Sequence, residues 1–230
     1  MLHIALCIAL CTQAAPAHQP AVAPPQPGIS VPPVPAPPVE ERTPEAVRKA
    51  FNDYKEAILN GKGEAAAGCV DKQTLDWYEE SRLLALNAGR EKLESLSMFN
   101  RFQAILIRHR VPRAELAKMD GRKLFVYAVE NGWVGKSSVS GLEIGDVSIT
   151  GAFAAGAIVR ERRPTTLKFQ FVIEEGRWKI KLMPIMKTAE PALKAQAKRA
   201  GMTENEFIFQ MAEAVSGRRV PDTIWDAPKD

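Results

Sequence analysis

The chain has 230 residues, with 31 Lys and Arg against 27 Asp and Glu for a formal net charge of +4, yet none of these charges lies in residues 1–39. Ten of the 17 prolines fall within residues 16–39. This excludes one uniform domain and leaves about 190 residues for a domain with a real core. It also excludes a polytopic membrane protein, because no later apolar run reaches the ~18–20 residues a bilayer needs.

The N-terminus runs Met1-Leu2-His3-Ile4-Ala5-Leu6-Cys7-Ile8-Ala9-Leu10-Cys11 and is followed by Ala15-Pro16-Ala17. A short apolar run before an A-x-A-like site predicts a signal segment over 1–17 and export to the periplasm or medium. Lipid anchoring is less favoured, since Cys7 and Cys11 each follow Leu rather than a small residue. Residues 18–42 are Pro-rich. Pro fixes φ and removes an amide donor, so an extended polyproline-II tether is predicted here. With the signal removed, Cys69 is the one remaining cysteine. It can form no internal disulfide and predicts no metal site; a small buried residue is the reading it supports.

Thr43-Pro44-Glu45 reads as a helix start, with a hydroxyl cap, Pro in the first turn and an acid near the N-terminus. Val47, Phe51, Tyr54 and Ile58 continue at helical spacing, and Gly61 supplies a stop. Asp71 caps a second helix with Leu75, Trp77, Tyr78, Leu83 and Leu86, ending near Gly89. A third carries Leu93, Leu96, Phe99, Phe102, Leu106 and Ile107 and ends near Arg110, because Pro112 disfavours helix at the residue before it. A short helix over Pro112–Met119 and another over 122–131 follow.

The period then changes from 3.6 to 2. Leu142 and Ile144 alternate, then Val147 and Ile149; the slip at Gly145-Asp146 predicts a β-bulge. A small-residue strand spans 152–162, with a turn at Pro164. Leu167, Phe169, Phe171 and Ile173 alternate with Lys168 and Gln170, Glu175-Gly176 turns the chain, and Trp178, Ile180 and Leu182 alternate with Lys179 and Lys181. Helices first and an antiparallel meander second argue α+β, with the N-terminal helices packed on one face of a curved antiparallel sheet.

An opening amphipathic helix, two further helices and a meander ending in Phe169-Gln170-Phe171-Val172-Ile173-Glu174-Glu175-Gly176-Arg177-Trp178-Lys179-Ile180 resembles the nuclear-transport-factor-two-like (SnoaL-like, cystatin-related) cone fold. The resemblance covers about residues 43–188. It implies a helix layer folded into a bent sheet around a conical cavity. The superfamily holds isomerases, dehydratases, cyclases and many domains without catalysis, so fold does not settle function.

Residues 189–230 form a C-terminal helical extension and tail. Ala189–Ala200 is a basic helix. Thr203-x-x-Glu206 is a capping box leading into Phe207, Ile208, Met211 and Val215, and Gly217 stops it. Arg218–Trp225 is read as extended. The apolar face of this extension is expected to pack on the chain's own domain.

The chemical motifs are weak. Gly61-Lys62-Gly63-Glu64-Ala65-Ala66 follows a helix rather than a strand, so its amides do not face a pyrophosphate. Gly135-Lys136-Ser137 lacks the glycine five positions earlier that a phosphate loop needs. No cofactor is predicted. Acid–base chemistry inside a cone needs a carboxylate or His in a dry cavity with a donor for developing charge. Asp146 is the leading catalytic candidate, with Asp76, Glu130 and His109 behind it. Tyr54, Trp77, Tyr78, Phe102 and Tyr127 are the candidate pocket-lining residues.

Arg160, Arg162, Arg163, Lys194, Lys198, Arg199, Arg218 and Arg219 suit peripheral contact with an anionic envelope surface; no nucleic-acid signature accompanies them. The leading expectation is an exported, non-catalytic binding or interaction module for a small apolar ligand or a protein partner. The alternatives are an isomerase or lyase using a buried carboxylate, and a homodimeric envelope component.

Overall fold

The computed structural model describes residues 42–134 and 136–226. The signal segment over 1–17 and the tether, apart from Arg42, lie outside the described residues.

Helix α1 (Pro44–Leu59) begins where the sequence places it. The Thr43 hydroxyl accepts from the Ala46 amide at 3.1 Å, and Pro44 fills the first turn. Its buried stripe is Val47, Phe51, Tyr54, Ala57 and Ile58. A short helix α2 (Gly63–Cys69) follows, which the sequence did not announce. A Cβ on Gly63 would sit 2.7 Å from both Val126 Cγ1 and the Val126 carbonyl, so the absence of a side chain is what lets α2 start against its neighbour.

Helix α3 (Lys72–Asn87) is capped by Asp71, whose carboxylate accepts from the Thr74 amide at 3.1 Å. The expected third helix is two pieces, α4 (Arg90–Glu94) and α5 (Met98–Arg110). The break arises at Ser97, which takes an extended ψ of 152° and accepts from the Asn100 amide to start α5. Helices α6 (Arg113–Leu116) and α7 (Gly121–Glu130) complete the N-terminal half. A Cβ on Gly121 would meet the Glu79 amide nitrogen at 2.5 Å, which marks a close crossing of α7 over α3.

The sheet is antiparallel and open, in the order β1 (Leu142–Thr150), β2 (Phe153–Arg160), β3 (Arg163–Glu174), β4 (Arg177–Lys181). The β1–β2 register shifts between Ile144 and Val147, at the predicted bulge. Pro164 lies inside β3 rather than in a turn; the turn is formed by Glu161 and Arg162. Leu182 opens helix α8 (Leu182–Lys187) instead of ending β4.

One sheet face is covered by α1. The Phe51 and Phe169 rings lie 5.3 Å apart, and both are fully buried with Phe171 and Ile180. Each such aromatic contributes about 1.5–3 kcal/mol through removal from water. Beside β4, Val70 forms a parallel bridge to Ile180. Lys179, expected on the wet face, is instead buried, because its ammonium donates to the Gly68 carbonyl at the end of α2. The opposite face is open: Ser148, Lys168 and Gln170 are exposed, and Phe153 is 58% exposed.

Helices α9 (Ala189–Arg199) and α10 (Glu204–Ser216) pack on α5. Thr203 and Glu206 form the predicted capping box, and Gly217 closes α10 at φ +67°. Arg101 of α5 donates to Glu204 and, at 2.6 Å, to the Asn205 side chain. The segment after α10 is not extended throughout; Asp222–Trp225 is a 3₁₀ turn that buries Trp225 near Phe209.

Candidate functional site

Buried side chains pack where α1 meets the sheet and where the helices meet one another. Tyr54 is wholly buried, and its hydroxyl has no hydrogen-bond partner among the described residues. Burial pushes its phenol well above the ordinary pKa, and burial does the same to Tyr78. The Tyr78 ring meets Phe125 edge-on at 5.1 Å. Phe102 is equally buried on α5. Four surface pockets of the described residues are lined by none of Tyr54, Tyr78 and Phe102. Tyr127 is half-buried, edge-on to Trp133 at 5.5 Å, with the Arg110 guanidinium over that indole at 5.2 Å.

The candidate acid–base groups sit on separate elements, and no hydrogen bond joins any two of them. Asp146 is exposed in the bulge of β1. The bulge is held instead by Arg48, which donates to the Gly145 carbonyl at 3.0 Å. Asp76 pairs with Lys72 at 2.7 Å on the exposed side of α3. Glu130 is exposed at the end of α7. His109 contacts the Ser216 hydroxyl at 3.0 Å and so ties α5 to the end of α10. Burial, then the Arg218 guanidinium, lowers its imidazole pKa.

Among the predicted residues, Trp77 does reach a groove. Gln73, Asp76, Trp77 and Glu80 of α3, with Ser97, Phe99 and Asn100 at the start of α5 and Met183, Lys187 and Glu190 beyond the sheet, line a half-open space of about 650 Å³. That is the size of a small-ligand or peptide-side-chain site. Its apolar floor is Trp77 stacked on Phe99, with ring centroids 5.6 Å apart and planes 18° from parallel. The indole N–H donates to the Asn100 side chain at 3.2 Å, which fixes the ring. One wall is held by Glu190, whose carboxylate accepts from the Met98 and Phe99 amides at 3.0 and 2.8 Å. An anion is favoured at that helix N-terminus, where the first amides lack intrahelical partners. The sequence reading missed Phe99, Asn100, Met183 and Glu190 as groove residues. The Glu190 cap joins positions 92 apart, and no local pattern encodes it.

A second pocket of about 220 Å³ brings Cys69 beside Lys49, Asp53, Arg177 and Trp178. Burial, then the Asp53 carboxylate, pushes the thiol pKa up, so the sulfur stays protonated at neutral pH and is a poor nucleophile. Among the described residues no group of three or more His, Cys, Asp or Glu is placed to hold a metal ion, and no helix is long and apolar enough to cross a membrane. No family model, curated protein or solved structure matches this chain.

Proposed function

We propose that this chain is an exported, non-catalytic interaction module, a cone-like domain of the nuclear-transport-factor-two-like kind whose interior is sealed and whose partner is a protein segment received on the Trp77 groove. The observation that carries this reading is the filled interior. Tyr54, Phe169 and Phe171 are buried where α1 meets the sheet, and Tyr78, Phe102 and Phe125 are buried among the helices. A reacting group needs a site about 3 Å from both its base and its oxyanion donor. Here the candidate carboxylates are exposed and dispersed, while the buried hydroxyl of Tyr54 faces packed side chains. The groove offers what a partner segment uses: a rigid aromatic floor, a polar rim and room for an anchoring side chain.

Native mass spectrometry of the purified protein, with photo-crosslinking from position 80 in the producing cells, tests this. The expected result is a mass free of small molecules and a discrete protein adduct that Trp77→Ala abolishes. A stoichiometric small apolar ligand, or an adduct indifferent to Trp77, overturns it. Export is checked separately by sequencing the mature N-terminus: a start at His18 supports it, and an intact Met1 in soluble cytoplasm sinks it.

A further inference from the structure

The β2–β3 hairpin concentrates positive charge where local chemistry opposes it. Arg160 and Arg163 are direct cross-strand partners. Side chains in that relation stand about 5 Å apart, and like charges there repel. Between them, Glu161 and Arg162 take left-handed φ of 49° and 64°. Two-residue turns of this kind favour Asn-Gly, since a Cβ crowds the neighbouring carbonyl. The β3–β4 turn of the same sheet follows that preference at its second position, with Gly176 after Glu175. The β2–β3 turn departs from it at both positions and gains a third arginine in four residues.

These arginines are not spent on the fold. Among the described residues, no hydrogen bond or ion pair engages the guanidinium of Arg160, Arg162 or Arg163. Arg162 and Arg163 are exposed and Arg160 is half-buried. The charged groups nearest in the register are Glu161 in the turn, Glu143 on β1 beside Val159, and Lys55 of α1, which donates to the carbonyl of Leu142, the β1 partner of Arg160. The balance is positive. Of the C-terminal cations, Lys194 engages Glu190 and Glu204 and Arg218 donates to the His109 carbonyl, while the side chains of Lys198, Arg199 and Arg219 are unengaged among the described residues but do not share one turn.

We propose that the tip of the β2–β3 hairpin docks the domain on an anionic phospholipid surface. A guanidinium presents a planar fork that matches phosphate oxygens. Arg160 and Arg163 share one face of the hairpin, and Arg162 sits in the turn between them. Single-stranded nucleic acid fits less well, because its binding needs a stacking platform beside the charges. The exposed aromatic of this sheet, Phe153, lies at the far end of β2, about 23 Å from Arg160 at the rise of a strand. With no apolar wedge at the tip, attachment is electrostatic and screened by salt.

The test is co-sedimentation of the full chain with phosphatidylcholine vesicles, with and without 30% phosphatidylserine, in low and high salt. Binding is expected on the anionic vesicles at low salt and lost at high salt. The variant R160Q/R162Q/R163Q should bind at least tenfold more weakly. K198Q/R199Q/R219Q, which removes equal charge elsewhere, should stay within twofold of the parent. E161N/R162G restores a favoured turn, so it should melt no lower than the parent while binding several-fold more weakly. Equal loss in both triple variants, binding to neutral vesicles, or displacement by a DNA duplex at concentrations below those of the competing lipid overturns the proposal.

Discussion

The wholly buried Asp71 carboxylate serves two elements: one oxygen accepts from the Thr74 amide and hydroxyl, and the other receives the Lys181 ammonium at 2.9 Å. It thus caps α3 and fixes that helix start to the end of β4. Removing one partner of a buried pair leaves an uncompensated charge, which is worse than never having had the pair. Asp71→Ala removes the cap as well, so a loss of about 3–5 kcal/mol is expected in urea denaturation. Lys181→Met should cost a similar amount, because it strands the buried Asp71 carboxylate with only the two Thr74 donors.

Tyr54 tests whether the interior is a core or a receptor. Its hydroxyl is buried without a partner, and such a group costs about 1–3 kcal/mol of desolvation. Tyr54→Phe should therefore raise the melting temperature or leave it unchanged. Tyr54→Ala should cost about 3–5 kcal/mol, as for other large aromatics cut from a core. A clear loss of stability in the Phe variant would mean that the hydroxyl is engaged after all.

Glu190 holds the start of α5 and, through Lys194 and Glu204, reaches Arg101. Glu190→Ala strips the acceptor from two helix-end amides and should cost about 1–2 kcal/mol. Hydrogen exchange should quicken in α9 and at the start of α5 while the β2 and β3 amides stay protected. Uniform loss of protection would show that this junction is no separate unit.

Acid should act in two steps. His109 has a folded pKa lowered from about 6.5 by burial and by Arg218. The unfolded chain therefore binds the proton first, and stability falls as pH drops through 6.5, levelling once the folded imidazole also titrates. Glu79, through its bond to Arg82, and Glu206, through the Thr203 amide, are held below the usual carboxylate range. Their contribution is full above about 4.5 and is lost as pH falls through their folded values. Melting curves from pH 8 to 3 should show both steps, and His109→Gln should remove the upper one alone.

The helix starts were legible because a cap is a local device. Thr43, Asp71 and Thr203 each bond an amide three residues on, and a pattern of that length is written in the sequence. The bulge before Val147 was legible as a slip of period two. Helix α2 was not: Gly63, three alanines, Gly68 and Cys69 make no apolar stripe, and its position is set by contact with Val126. Lys179 looked wet because alternation ignores what covers the strand. Periodicity correctly marked Tyr54, Tyr78 and Phe102 as inward, yet the same pattern serves a lined cavity and a packed core. The groove was illegible for a related reason, since Trp77, Phe99 and Met183 come from three helices that meet only in the fold.

The join between β4 and the α2–α3 corner has a kinetic side. Lys179 meets Gly68, and Lys181 meets Asp71, across 111 and 110 positions of chain. At ribosomal rates, about 5–20 residues per second, the corner waits roughly 5–20 s for the strand that completes it. Helices α1 to α3 are made early and finished late. Through that interval they have no sheet to close on, so the corner is among the last contacts of the fold to form.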